Sequence, residues 1–284
     1  MTTDSPNQDD LDRLRTNQSG KCWWCGGAAD SREHKHKASL LRQMWGEEGL
    51  YLGRDGQDLW SVPSVKSSAV KFGKTLCREC NNARSQPFDE AYDKYAKYVW
   101  EYARSLSRAK QIDWADVYGP DWQEPVCDLG KYFIKATGCW MADGGFSPPA
   151  AFVQFLDGGP LVDVAVMPMR QQSATLAYRA MRLGGELDFD RGIGVLDGNA
   201  WLNSEHTSLA GFEQISYISD ICVRVAWHDQ GGPGPLFWDA RVPPLTVMPA
   251  MFSQRLLAVR IGIGSLRERT VGIVNRRNTA GTER

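Results

Sequence analysis

The chain has 284 residues, 42% of them hydrophobic and 24% charged, with a formal net charge of −1. Those values suit a globular chain of one large domain or two ordinary ones. They leave out a membrane-spanning class, since no apolar run approaches the roughly 20 residues that a bilayer requires.

The N-terminal stretch MTTDSPNQDDLDRLRTNQSG is polar and acidic and lacks the apolar core of a secretory signal. Residues 1–19 are therefore expected to form a disordered polar tail, and the protein to be cytoplasmic with no membrane partner. Charge is unevenly spread. Residues 20–85 carry 11 Lys/Arg against 7 Asp/Glu, and residues 111–284 carry 15 against 19. A basic N-terminal region suits a polyanionic partner such as nucleic acid.

Residues 20–110 form the first expected domain. It opens on KCWWCGGAADSREHKHK, a Cys-rich turn running into a charged segment. Residues 38–46 (ASLLRQMWG) predict a short helix stopped by Gly46. Residues 47–70 read as a long loop or insertion, and Lys71 to Leu76 as a short strand entering CREC. Then comes a long helix of about six turns, with Ser85 as its N-cap and Pro87 in its first turn. Phe88, Tyr92, Tyr95, Val99, Tyr102 and Leu106 fall on one face of it, which predicts core packing.

Residues 111–149 read as a connector rich in Trp, Pro and Gly. From residue 150 to 284 the segments AFVQFLD, LVDVAVMP, ELDFD, ICVRVAWH and LFWDARV read as strands. QQSATLAYRAMRL reads as a helix between them, and Arg267, Arg269, Arg276, Arg277 and Arg284 mark a basic tail. The fold class expected for the whole chain is α+β.

Seven cysteines are present, and four of them form two CxxC pairs. Cys127, Cys139 and Cys222 stand apart and read as small buried hydrophobes. Cys22 with Cys25 and Cys77 with Cys80 are the spacing of a tetrahedral S4 zinc site. Such a site is closed, so the zinc is expected to be structural. The chemistry must come from other residues. Glu33-His34 lies between the two pairs, and Asn81-Asn82 follows the second. A histidine can activate water near neutral pH. Glutamate and an Asn carbonyl are hard oxygen ligands suited to Mg²⁺ or Mn²⁺. Neighbours on a strand point to opposite faces, so Glu33 and His34 share one site only if a local turn redirects one of them.

CWWCG, SREHKHK and LCRECNNARS together resemble the zinc-containing HNH endonucleases of the His-Me finger class, over about residues 20–95. The resemblance implies a ββα-metal domain that cleaves nucleic acid, with DNA ahead of RNA. It implies His34 as general base and Glu33 and Asn81 as ligands of a catalytic divalent cation. Lys35, His36, Lys37, Arg78 and Arg84 lie where a phosphate backbone could pass. One departure stands out: the family's middle Asn, which braces the loop carrying the base, is missing from residues 35–80. Gln57, Ser67 and Ser68 are the candidates to replace it. An HNH module joined to a second domain resembles mobile-element or antiviral defence proteins, and that domain could bind a protein partner or a second copy. A different class stays open: a zinc-stapled adaptor that binds nucleic acid or protein and cleaves nothing. Glu205-His206 has no cysteines near it and reads as surface.

Overall fold

The computed structural model describes residues 8–15, 20–46, 50–52, 60–172, 192–232 and 234–248. After a short helix α1 (Gln8–Leu14), the cysteine-rich segment runs into an extended stretch. Its residues 31–35 pair antiparallel with residues 70–76. Ser31 bridges Leu76 and His34 bridges Lys71. The Phe72 amide donates to the Glu33 carbonyl at 2.9 Å, and the Lys35 amide to the Val70 carbonyl at 2.9 Å. The strand expected at Lys71–Leu76 is thus present as two bridges rather than a continuous ladder.

The segment between these two stretches carries helix α2 (Ala38–Trp45) and a two-stranded ribbon, β1 (Leu50–Leu52) with β2 (Trp60–Val62). Gly46 ends α2 at φ 68°, a conformation that favours glycine, as expected for a C-terminal stop.

The second cysteine pair opens a wide π-helical turn, Glu79–Ala83, which leads into α3 (Gln86–Glu101). Phe88, Tyr92, Tyr95 and Val99 are buried along one face of α3. Two expectations need correction. Ser85 is not a capping residue: its backbone is already helical and its hydroxyl donates to the Asn81 carbonyl at 3.0 Å. Tyr102 is 46% exposed, because the helix breaks there (φ −106°, ψ 17°) and the 3.6-residue phase is lost. The short α4 (Ala103–Leu106) then returns Leu106 to the core.

Residues 111–149, expected as a connector with its own packing, are largely helical. They hold α5 (Trp114–Tyr118) and the 21-residue α6 (Gln123–Asp143), which packs against α3. The glycines that suggested loop allow close approach instead. A Cβ at Gly130 would lie 2.3 Å from the Trp238 ring, and one at Gly138 would lie 2.5 Å from the Trp23 ring. AFVQFLD is likewise helical, as α7 (Ala150–Leu156), burying Phe152, Phe155 and Leu156 at helical spacing. So short an apolar run fits either period until it finds its packing surface.

The C-terminal half is built on a five-stranded sheet of order β4-β5-β6-β3-β7. Its strands are β3 (Val164–Gln171), β4 (Ile193–Leu202), β5 (Leu209–Ile218), β6 (Ile221–His228) and β7 (Thr246–Met248). All neighbours are antiparallel except β3 and β7. β3 and β6 lie where alternation placed them. β4 and β5 were not anticipated, and LFWDARV holds one 3-10 turn, Phe237–Asp239, instead of a strand. ELDFD, the basic tail and all of QQSATLAYRAMRL after its first two residues fall outside the described residues; Gln171 itself ends β3. The mixed α+β class holds. One buried cluster runs from Cys22 through α3 and α6 to Leu245, so the zinc-motif region and the sheet share a core. Among the described residues no helix is long and apolar enough to cross a membrane.

Tyr95 sits at the centre of that core, 1% exposed, between Tyr92, Trp114 and Phe133. Its hydroxyl has no hydrogen-bond partner among the described residues. Tyr95→Ala should therefore cost about 3–5 kcal/mol, in the range of other large-to-small aromatic truncations. Tyr95→Phe should leave stability unchanged or raised, because it removes an unsatisfied buried group. Denaturant melts of the two variants check both values.

Candidate functional site

The first cysteine turn is tight. The Gly26 amide donates to the Cys22 carbonyl at 2.8 Å, the Cys22 amide donates to the Gly27 carbonyl at 2.7 Å, and Gly26 takes φ 75°. The second turn is the start of a helix, where the Asn81 amide reaches the Cys77 carbonyl at 2.9 Å and the Cys80 amide reaches Cys77 Sγ at 3.4 Å. A bond from the Trp23 amide to the Thr75 carbonyl, at 3.1 Å, stitches the turns together.

The result brings Cys22, Cys25, Cys77 and Cys80 together with all four sulfurs within 4.8 Å of one another. Cys25 and Cys77 sulfurs are 3.6 Å apart. Tetrahedral zinc with bonds of about 2.3 Å needs sulfurs about 3.8 Å apart, so the set fits a structural zinc ion. Among the described residues it is the one group of three or more His, Cys, Asp or Glu side chains placed to hold a metal.

Burial pushes the Cys22 and Cys80 thiols up, while the Gly27 backbone N–H lowers Cys25 to about 7. Cys22 and Cys80, both buried, resist ionisation unless a cation joins them.

Trp23 and Trp24 cover the staple, both buried. The Arg84 guanidinium lies 4.3 Å from the centre of a Trp24 ring and donates to Cys80 Sγ at 3.4 Å. Arg84 also bonds Asp157, whose carboxylate accepts from Trp24 Nε1 at 2.7 Å. Asp157 ends α7, so this clasp joins the staple to the C-terminal half.

A polar site adjoins the staple. Asn81 Nδ2 donates to Ser31 Oγ at 2.8 Å, while Asn81 Oδ1 is buried with no partner among the described residues. One turn further along the helix stands Ser85, and one turn beyond it Asp89. Both meet the ammonium of Lys135 on α6, at 3.2 and 3.4 Å. The same ammonium lies 3.7 Å from Glu33 Oε1. Burial pushes Glu33 up against the pull of Lys135. Burial opposes the Lys135 charge, but Glu33 and Asp89 hold its pKa above the ordinary lysine value.

His34 turns elsewhere. Its Nε2 lies 3.1 Å from the Val65 carbonyl. Burial lowers its pKa below the ordinary value. Val65 is itself buried with Leu41, Val62 and Val70. The turn bearing it is braced by serine hydroxyls: Ser64 Oγ accepts from the Lys66 amide at 3.2 Å, and Ser67 Oγ from the Ala69 amide at 3.3 Å. Glu33 and His34 therefore have separate partners on opposite sides of the strand.

Of the residues expected to meet phosphate, Arg84 is engaged by Asp157, and Lys37 by Asp93 at 2.7 Å and by the Asp89 carbonyl. Lys35 lies over the Trp140 ring at 5.6 Å. Arg78 is 77% exposed and pairs loosely with Asp30 at 3.2 Å. Burial lowers His36 to about 4. Gln57 lies outside the described residues. His206 Nδ1 lies 3.0 Å from Asp10 Oδ2, so the second Glu-His pair includes a half-buried tie to α1 as well as surface.

Sequence reasoning missed Lys135, Asp89 and the Val65 carbonyl. Lys135 had a signal, a charge set inside the apolar run YFIKATGC. A carbonyl has none. The chain matches no protein-family model, no curated protein and no solved structure.

Washed protein should contain about one zinc per chain by metal analysis, with four thiolates as its ligands. Cys77→Ser should lose the metal and unfold at lower temperature. A zinc-free parent, or a Cys77→Ser chain as stable as the parent, contradicts the staple.

Proposed function

We propose that the protein is a metal-dependent endonuclease of the HNH type, acting on the phosphodiester bonds of nucleic acid, DNA in the first instance. The observation that carries the reading is the His34–Val65 contact. A carbonyl only accepts, so the Nε2 that faces it carries the hydrogen. Nδ1 is then left with its lone pair. The lowered pKa keeps that ring neutral at pH 7. A neutral imidazole of fixed tautomer is what a general base requires. The Ser64 and Ser67 turns that brace Val65 stand in for the loop-bracing Asn that the sequence lacks.

In this reading a water attacks phosphorus in line with the departing 3′ oxygen, and His34 Nδ1 takes its proton. Glu33 and His34 leave the strand on opposite sides, so this reading requires a single phosphate that reaches across the strand to both. Glu33 and Asn81 would hold a divalent cation, which when bound supplies charge neutralisation at the leaving oxygen. The fit rests on the unpartnered, buried Asn81 Oδ1 and on Glu33, whose side chain keeps 16% exposure beside Lys135. Arg78 and Lys35 remain to meet the backbone phosphates.

A second reading, the non-catalytic adaptor, draws on a specific observation. Glu33 already faces an ammonium, and two of the expected phosphate contacts, Lys37 and Arg84, are occupied by carboxylates. Plasmid incubated with Mg²⁺ or Mn²⁺, with and without EDTA, separates the two. Cation-dependent nicking supports the nuclease; no cleavage of DNA or RNA with any divalent cation supports the adaptor.

His34→Ala should slow cleavage by about 10²–10⁴-fold while zinc content stays unchanged. His206→Ala should cleave at the parent rate. The active form of the base is the neutral one, and burial lowers its pKa. Cleavage should therefore be flat above the ordinary histidine value of about 6.5 and fall only at more acid pH. A rate that instead keeps climbing above pH 7 assigns the base to another group.

A further inference from the structure

Helix α6 carries a charge into the interior from outside the N-terminal motif. Lys135 has 1% side-chain exposure, and Ile134 and Thr137 beside it are buried too. An ammonium this deep persists only when it is paired and hydrogen-bonded. Its partners are Glu33 Oε1 at 3.7 Å, Asp89 Oδ1 at 3.4 Å and Ser85 Oγ at 3.2 Å. Glu33 belongs to the extended stretch after the first cysteine pair; Ser85 immediately precedes α3 and Asp89 lies in its first turn. The lysine on α6 thus ties these two segments together with two carboxylates around its charge. Its burial keeps it from touching substrate, so whatever it does to a reaction it does through Glu33.

We infer that Lys135 is a positioning residue that holds one oxygen of Glu33 inward, leaves the other to face the cation site, and by its own charge weakens divalent-cation binding there. This rests on the nuclease reading's cation site at Glu33 and Asn81. Two effects oppose each other. Holding the carboxylate in one orientation favours cation binding by sparing side-chain entropy. A fixed ammonium within a few ångströms of a doubly charged ion repels it strongly at the effective dielectric of a protein site. For a side chain as short as glutamate the repulsion is the larger effect, so losing the ammonium should tighten binding.

The test is a Mn²⁺ titration of the full, zinc-loaded chain, with free Mn²⁺ read by electron paramagnetic resonance. Glu33→Gln defines which binding belongs to the site. Lys135→Met should lower the Glu33-dependent Kd about tenfold or more, a change of about 1.4 kcal/mol or more by the affinity relation. Zinc content should be unchanged. Lys135→Arg, which keeps the charge, should bind Mn²⁺ like the parent. A folded Lys135→Met chain with equal or weaker Mn²⁺ binding overturns the role of Lys135 and leaves the cation site standing. If Lys135→Met does not fold, Lys135→Gln, which keeps a hydrogen-bond donor for Ser85 and Asp89 but no charge, is measured instead. The same tightening is expected of it, and its absence overturns the inference. If neither the parent nor these variants show binding that Glu33→Gln removes, the cation site itself falls, and the inference with it.

Discussion

The rest of the architecture hangs on the closure of two cysteine turns that lie far apart in sequence. Cys25 and Cys77 are 52 residues apart in sequence, yet their sulfurs are 3.6 Å apart. Closing so long a loop costs conformational entropy, and burial raises the resistance of Cys22 and Cys80 to ionise. A single divalent ion held by all four thiolates would oppose both costs. Once the turns are joined, residues 31–35 lie beside residues 70–76, and the π-helical turn and the start of α3 bring Asn81 to Ser31 and Ser85 and Asp89 to the lysine that faces Glu33. The Arg84–Asp157 clasp and the Trp23 ring against Gly138 extend the same tie to α7 and α6.

The staple and the polar site also answer a geometric difficulty. Glu33 and His34 are neighbours on an extended chain, so their side chains part. Each meets a separate support: a buried ammonium for the carboxylate, a loop carbonyl for the imidazole. The support for His34 comes from the long insertion, and that for Glu33 from α6, the longest helix among the described residues. The site is therefore completed by segments well outside the cysteine-rich motif.

What could be read in the sequence divides along physical lines. The four cysteines were legible because metal ligation imposes residue type and spacing directly. The Gly46 stop, the buried face of α3 from Phe88 to Val99, and strands β3 and β6 were legible because periodicity records burial. Tyr102 was not, since a helix break resets the phase that periodicity assumes. α7 was misread because a seven-residue apolar segment fits two periods, and α6 because glycine signals close approach as readily as a turn. β4 and β5 interrupt alternation with a register shift and with polar residues at partly exposed positions. Among the site residues, Glu33, His34 and Asn81 stand out as residue types, but their partners do not. Val65 contributes a backbone carbonyl, which any residue carries. Lys135 becomes informative only when its burial is known.

A metal held by the four cysteines would be closed and structural, apart from any chemistry at Glu33, His34 and Asn81. Zinc K-edge X-ray absorption on the washed full chain should show four sulfur neighbours at about 2.3 Å, unchanged when Mn²⁺ and nucleic acid are added. A shell containing nitrogen or oxygen, or a sulfur lost on adding nucleic acid, would make the zinc site open and contradict a closed, structural role.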